Sequence, residues 1–102
     1  MVAIGTTPTF TFTFTEQGLD LTQASHVYVT FREGGVLIEK KDEDLTIAEK
    51  SVAVSLKQTD TYKLSPGQLL MQVNWTYADG SRMASEIVSC SIGDNLHEAP
   101  LA

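Results

Sequence analysis

The sequence predicts an all-β protein, an antiparallel β-sandwich of about seven strands. Three observations predict it. Apolar and polar residues alternate with period two over most of the chain, the rhythm of strands with one face in a core and the other in water. Apolar segments recur every ~8–12 residues with turn signals between them. Strands do not alternate with helical patterns, so parallel βαβ units are not indicated.

Each element follows from its residues. Thr9 to Thr15 reads Thr-Phe-Thr-Phe-Thr-Phe-Thr, with Phe10, Phe12 and Phe14 on one face and threonines on the other. Both residue types suit a pleated, half-buried surface. Glu16-Gln17-Gly18 breaks this strand, and Leu19 or Leu21 in the following link is placed to anchor in the core. Ala24 to Arg32 sets Val27, Val29 and Phe31 against His26, Tyr28 and Thr30. Glu33-Gly34-Gly35 is a tight turn, since glycine tolerates positive φ, and Val36 to Lys40 returns as the next strand. Lys41 to Asp44 is a charged turn, Leu45-Thr46-Ile47 a short strand, and Ser51 to Leu56 another, with Val52, Val54 and Leu56 inward.

Lys57 to Gly67 is irregular. Gln58-Thr59-Asp60-Thr61 predicts a single helical turn ending near Leu64, stopped by Ser65-Pro66-Gly67. Leu69 to Tyr77 is the strongest strand, with Leu69, Met71, Val73, Trp75 and Tyr77 in phase. Ala78-Asp79-Gly80-Ser81 carries the Asp-Gly signature of a two-residue hairpin loop. Arg82 to Ile92 returns with a broken phase, because Met83 and Ile87 fit one face and Val88, Cys90 and Ile92 the other. A bulge, or burial on both sides, must intervene. The expected core is Phe10, Phe12, Phe14, Val27, Val29, Phe31, Ile38, Val52, Val54, Leu56, Met71, Val73, Trp75 and Ile87.

The 102 residues suit one domain, residues 1–102, with 93–102 as a loose C-terminal tail. Seven Lys and Arg against 13 Asp and Glu leave a net charge of −6. That balance argues against nucleic acid, whose phosphates need a basic face. No apolar run approaches the ~20 residues of a spanning helix, so no membrane partner is expected. Met1 to Thr15 lacks the charged start and apolar stretch of a cleaved secretory signal, which leads to the expectation of synthesis in the cytoplasm. The one cysteine, Cys90, allows no internal disulfide and reads as a small buried hydrophobe.

No motif announces catalysis, a cofactor or a metal. His26 or His97 can be combined on paper with serines and carboxylates, but no nucleophile-elbow motif supports them. Asp42-Glu43-Asp44, with Asp20, has the hard oxygen ligands of a Ca²⁺ site without EF-hand spacing, and a charged hairpin tip is the plainer reading. The threonines from Thr7 to Thr15 make a single hydroxyl ladder, too little for ice binding. Trp75, Tyr77, Tyr28 and Tyr62 are the aromatic side chains available to stack on a sugar. Trp75 shares phase with the core, so Tyr28 and Tyr62 are the surface candidates. The first strand is uncharged from Thr6 to Thr15, and an uncharged alternating strand at a sheet edge invites pairing with another chain. The expected interaction surface is therefore Thr9, Thr11, Thr13, Tyr28 and Tyr62. Such a strand must lie inside its sheet or be covered by another subunit.

The order of features resembles a known family. Gly18-Leu19-Asp20-Leu21-Thr22-Gln23-Ala24 leads into Val27-Tyr28-Val29-Thr30-Phe31, followed by the Gly34-Gly35 hairpin and Lys40-Lys41. Then come Leu56-Lys57-Gln58-Thr59-Asp60-Thr61, Pro66-Gly67, Val73-Asn74-Trp75 and Asp79-Gly80-Ser81-Arg82. The pattern, from about Phe10 to Ile92, resembles small proteins and N-terminal domains from tailed-phage and prophage structural gene clusters of Gram-positive bacteria. It is most similar to the N-terminal domain of baseplate upper proteins. The resemblance implies an Ig-like sandwich that joins tail or baseplate parts, without catalytic residues or cofactors. It implies a virion location after assembly in the host cytoplasm, with other virion proteins and further copies of the chain as partners. A module that recognises bacterial surface carbohydrate through Tyr28 or Tyr62 is the alternative.

Overall fold

The structure is a computed structural model and describes residues 1–96. Its strands are β1 (Val2–Ala3), β2 (Thr9–Thr13), β3 (His26–Glu33), β4 (Val36–Lys41), β5 (Leu45–Ala48), β6 (Ser51–Ser55), β7 (Gly67–Thr76), β8 (Arg82–Ala84) and β9 (Val88–Gly93). One helical turn, α1 (Gln58–Thr61), joins β6 to β7, and short 3-10 turns cover Leu21–Gln23 and Asp42–Asp44. The larger sheet runs β1-β9-β7-β3-β4, with β8 also paired to β7, and the smaller runs β2-β6-β5. Seven strands of four residues or more match the expected count, and β1 and β8 are short additions. Among the described residues no helix is long and apolar enough to cross a membrane.

The strand order is Ig-like. Immunoglobulin domains place A, B, E and D in one sheet and C, F and G in the other. Here β2, β6 and β5 take the places of B, E and D, and β3, β7 and β9 those of C, F and G. Pairing is antiparallel except where β1 meets β9, with Val2 opposite Ile92 and Ala3 opposite Gly93 in parallel. Because β1 joins the larger sheet, β2 is left as the outer strand of the smaller one.

The core fills the space between the sheets. Val27, Val29 and Phe31 of β3, Ile38 of β4, and Leu69, Met71, Val73 and Trp75 of β7 face Leu45 of β5 and Val52 and Val54 of β6. Aromatic pairs stitch the layers: Phe10 lies 5.5 Å from Phe31, and Phe14 lies edge-on 5.5 Å from Trp75. Leu19 and Leu21 both anchor the link after β2, as the sequence allowed for one of them. Val2, Leu45, Leu64, Leu69 and Ile92 are buried as well, beyond the expected core. Phe10, Phe12 and Phe14 are half-buried rather than buried, because β2 sits at the sheet edge.

The return strand resolves its broken phase with a one-residue bulge. Trp75 opposes Met83 in β8, whereas Met71 opposes Val88 in β9, so the register slips by one between them. Ser85 occupies the slip: its hydroxyl accepts the Val73 N–H at 2.9 Å, and its own N–H donates to the Val73 carbonyl at 2.8 Å. The slip brings Met83, Val88, Cys90 and Ile92 onto the inner side. It turns Ile87 outward, 61% exposed, which corrects its placement in the core.

The turns differ in detail. Glu33 opposes Val36 across the two-residue Gly34-Gly35 loop, with Gly34 at φ 54°. The second hairpin has three loop residues, not two: the Tyr77 N–H donates to the Ser81 carbonyl, and Gly80 takes φ 89°. Gly80 N–H also donates to the Tyr77 carbonyl, which makes a turn followed by a left-handed residue, the usual three-residue solution. The predicted helical turn forms, and its hydrogen bonds continue to Leu64. Gly93, expected in a loose tail, closes β9, since Ala3 offers it a partner; the Asn95 amide also donates to the Ile4 carbonyl at 3.0 Å. Residues 97–102 of that tail, with His97, lie outside the described residues.

Candidate functional site

The site begins with the alternation of β2. Its residues pair with β6 from Thr9 opposite Ser55 to Thr13 opposite Ser51, and among the described residues β2 has no other strand neighbour. The phase of its backbone is set at both ends. Leu56 N–H donates to the Pro8 carbonyl at 3.0 Å, and Phe14 N–H donates to the Lys50 carbonyl at 2.8 Å. Doubly bonded pairs recur every second residue in an antiparallel ladder. The even-numbered phenylalanines therefore spend their backbone groups on β6, and Thr9, Thr11 and Thr13 aim theirs at the free edge.

Beside that edge the sandwich is open. Phe10, Phe12 and Phe14 form one wall of a groove of about 610 Å³, and Met71, Ala84 and Val88 of the larger sheet form the other. Val88 of this wall remains 42% exposed. The groove's charged lining residues are Glu16 and Glu86, both exposed. The sequence placed Thr9, Thr11 and Thr13 on a polar outer face. Their side chains are there, exposed, and Thr9 shares a hydroxyl–hydroxyl hydrogen bond with Ser55 at 2.8 Å. The opposite wall was hidden in the sequence by the bulge phase; Val88 falls on the same side as Met71 once the one-residue slip is allowed.

Tyr28 lies elsewhere, on the outer face of the larger sheet. It lines a shallow hollow of about 310 Å³ with Glu39, Asn74 and Arg82. Tyr62 follows α1, and its ring packs on the link between β1 and β2. A Cβ on Gly5, whose φ is 82°, would stand 2.7 Å from that ring. Tyr62 does not line the hollow that Tyr28 lines. Trp75, 2% exposed, is a core residue, with its indole N–H donating to the Tyr77 hydroxyl at 3.1 Å.

The titratable groups act as clamps. His26 Nδ1 meets Asp42 Oδ2 at 3.0 Å, and the other Asp42 oxygen accepts the Val27 N–H at 3.1 Å. His26 first and Val27 next hold the Asp42 carboxyl below the usual carboxylate range. The pair ties the start of β3 to the end of β4 and stands largely in water. Lys40 of β4 reaches Asp60 of α1 at 2.9 Å, where Asp60 also accepts the Lys57 N–H at 2.9 Å. Burial pushes the Asp60 carboxyl up, but the Lys57 N–H and then Lys40 outweigh it and leave it below its ordinary value. Cys90 is partly buried opposite Leu69, and that burial raises its thiol. Among the described residues no three His, Cys, Asp or Glu side chains come together as a metal-ligand set. Asp20 caps the 3-10 turn at Leu21–Gln23 by accepting the Thr22 N–H at 3.0 Å, apart from Asp42 to Asp44.

No family model, curated protein or solved structure matches the chain.

Proposed function

We propose that the protein is a non-enzymatic structural component of a phage or prophage virion, of the tail or baseplate, working through protein–protein contacts. One observation supports this reading most: the free edge of β2, uncharged from Thr6 to Thr15, beside half-covered phenylalanines. An edge of this kind is a template for another chain, and natural proteins normally blunt it with charge. Its partners are other virion proteins and further copies of itself, and it resides in the host cytoplasm before assembly. Mass spectrometry of virions purified after prophage induction should recover the chain. Its presence only in the soluble lysate would overturn the reading.

A second reading rests on the hollow around Tyr28. An aromatic face beside Glu39, Asn74 and Arg82 offers both stacking and hydrogen bonding, the combination a sugar requires. Under that reading, a glycan-array signal from bacterial surface carbohydrate disappears in Tyr28→Ala and persists in Tyr62→Ala. An array that stays blank for the wild type removes it.

A further inference from the structure

We propose that the free edge of β2 is the contact between two copies of this chain, paired antiparallel about a two-fold axis through Thr11. The inference rests on the reading above, that the protein works by assembly, and names the partner of its open edge.

The backbone phase permits this pairing without adjustment. Thr9, Thr11 and Thr13 carry the unspent N–H and carbonyl groups, and a two-fold at Thr11 sets Thr11 opposite Thr11, with Thr9 opposite Thr13. Each doubly bonded pair of the new ladder then joins two residues whose backbone groups are free. The smaller sheets of the two copies become one continuous six-stranded sheet, since each contributes three strands. A two-fold contact of this kind is closed, so it stops at two copies.

The side chains suit the same register. Residues opposite one another share a face. Threonines therefore meet threonines on the outer face, and Phe10 of one copy meets Phe12 of the other on the groove side. The new phenylalanines lie beside the groove's apolar wall, where Val88 is 42% exposed in one copy.

Charge selects this edge over the others and favours a second copy as its occupant. Two chains of net charge −6 repel at most approaches. The far edge of the larger sheet, β4, carries Glu39, Lys40 and Lys41, and β5 is flanked by Asp44 and Glu49. β8 carries Arg82, and Glu86 lies in the link from β8 to β9 at the far wall of the groove. From Thr6 to Thr15, β2 and its flanks have no charge at all, and the Thr11 register sets Glu16 across from Thr6 of the other copy. No like charges are brought face to face in the new ladder.

The test is light scattering coupled to size exclusion, from micromolar to millimolar protein. The wild type should show twice the 11.1 kDa monomer mass at the upper concentrations. Thr11→Lys and Thr11→Glu each put like charges opposite one another at the axis, so each variant alone should be monomeric with an unchanged circular dichroism spectrum. An equimolar mixture of the two should recover the dimer mass. Thr11→Pro removes an N–H that β6 does not use and should also be monomeric; should that variant fail to fold, the charge pair decides the matter. A wild type that is monomeric throughout overturns the proposal. So does a dimer that survives either charge variant, a mixture that stays monomeric, or an assembly that grows beyond two copies. A strictly monomeric chain recovered from virions would defeat the dimer alone, and a dimer absent from virions would defeat the virion reading alone.

Discussion

Replacing Phe31 by alanine should destabilise the protein by about 4 kcal/mol, within the usual range for deleting a buried phenylalanine. Phe31 is fully buried on β3, which lies between β4 and β7, and stands opposite Ile38 on one side and Met71 on the other. Its ring also meets Phe10 across the gap between the sheets. Removing it loses the transfer energy of the ring and leaves a cavity that two hydrogen-bonded neighbours cannot collapse to fill. A domain of this size commonly has only about 5–15 kcal/mol of stability, so the loss is a large share of the whole. The urea midpoint should fall strongly with an unchanged slope. Ile87→Ala provides the contrast, since Ile87 faces water beyond the bulge, and its effect should stay within about 0.5 kcal/mol. A large shift from Ile87→Ala and a small one from Phe31→Ala would reverse the assignment of inner and outer faces.

Asp60→Ala should cost about 3 kcal/mol. The substitution removes the partner of Lys40 and the acceptor of the Lys57 N–H together. Breaking a buried pair typically costs about 3–5 kcal/mol because one charge is stranded. The lower end applies, since 17% of the Lys40 side chain and 11% of the Asp60 side chain still meet water. The same carboxyl sets part of the acid response. Its proton is bound more weakly in the folded chain than in the unfolded one, so acid favours unfolding. That contribution is complete above the unfolded value of about 3.9 and is lost as pH falls through the lower folded value. Thermal melts of Asp60→Asn should therefore lose part of the wild type's decline below about pH 4. A mutant as acid-sensitive as the wild type, or one with undiminished stability at neutral pH, would remove Asp60 from this role.

The two substitutions probe different layers of the molecule, and they differ in how far each was visible in the chain. The alternation that puts Val27, Val29 and Phe31 on one face is plain from residue order, and so is the sequence of β3, the Gly34-Gly35 turn and β4. Period two is a local property of a strand, so no distant partner is needed to read it. The Lys40–Asp60 pair was not visible, because the two residues lie twenty positions apart and meet only when β4 packs beside α1. β1 is not legible in the sequence for a related reason. Two residues carry no periodicity, and Val2 and Ala3 become a strand only because β9 presents its edge to them.

The candidate site divides in the same way. Thr9, Thr11 and Thr13 stood out from local order, and their backbone direction follows from two hydrogen bonds at the ends of β2. Tyr28 and Tyr62 are alike as aromatic side chains, yet one faces out from the larger sheet and the other packs on Gly5. Residue type says what a side chain is able to do, and only the crossing of the sheets says which side chains share a surface.

By itself, the chain determined its class: strands of alternating pattern, turns at glycine pairs and Asp-Gly, one helical turn before Pro66, and a core drawn from the in-phase apolar residues. These are short-range consequences of pleat geometry and backbone sterics. Tertiary structure alone decided which strand lies at an edge, where the one-residue slip turns Ile87 outward and Val88 inward, and how Met71 and Val88 come to face the phenylalanines of β2. Those outcomes depend on competition among strands for a limited number of backbone partners, and that competition is settled by contacts between residues far apart in the sequence.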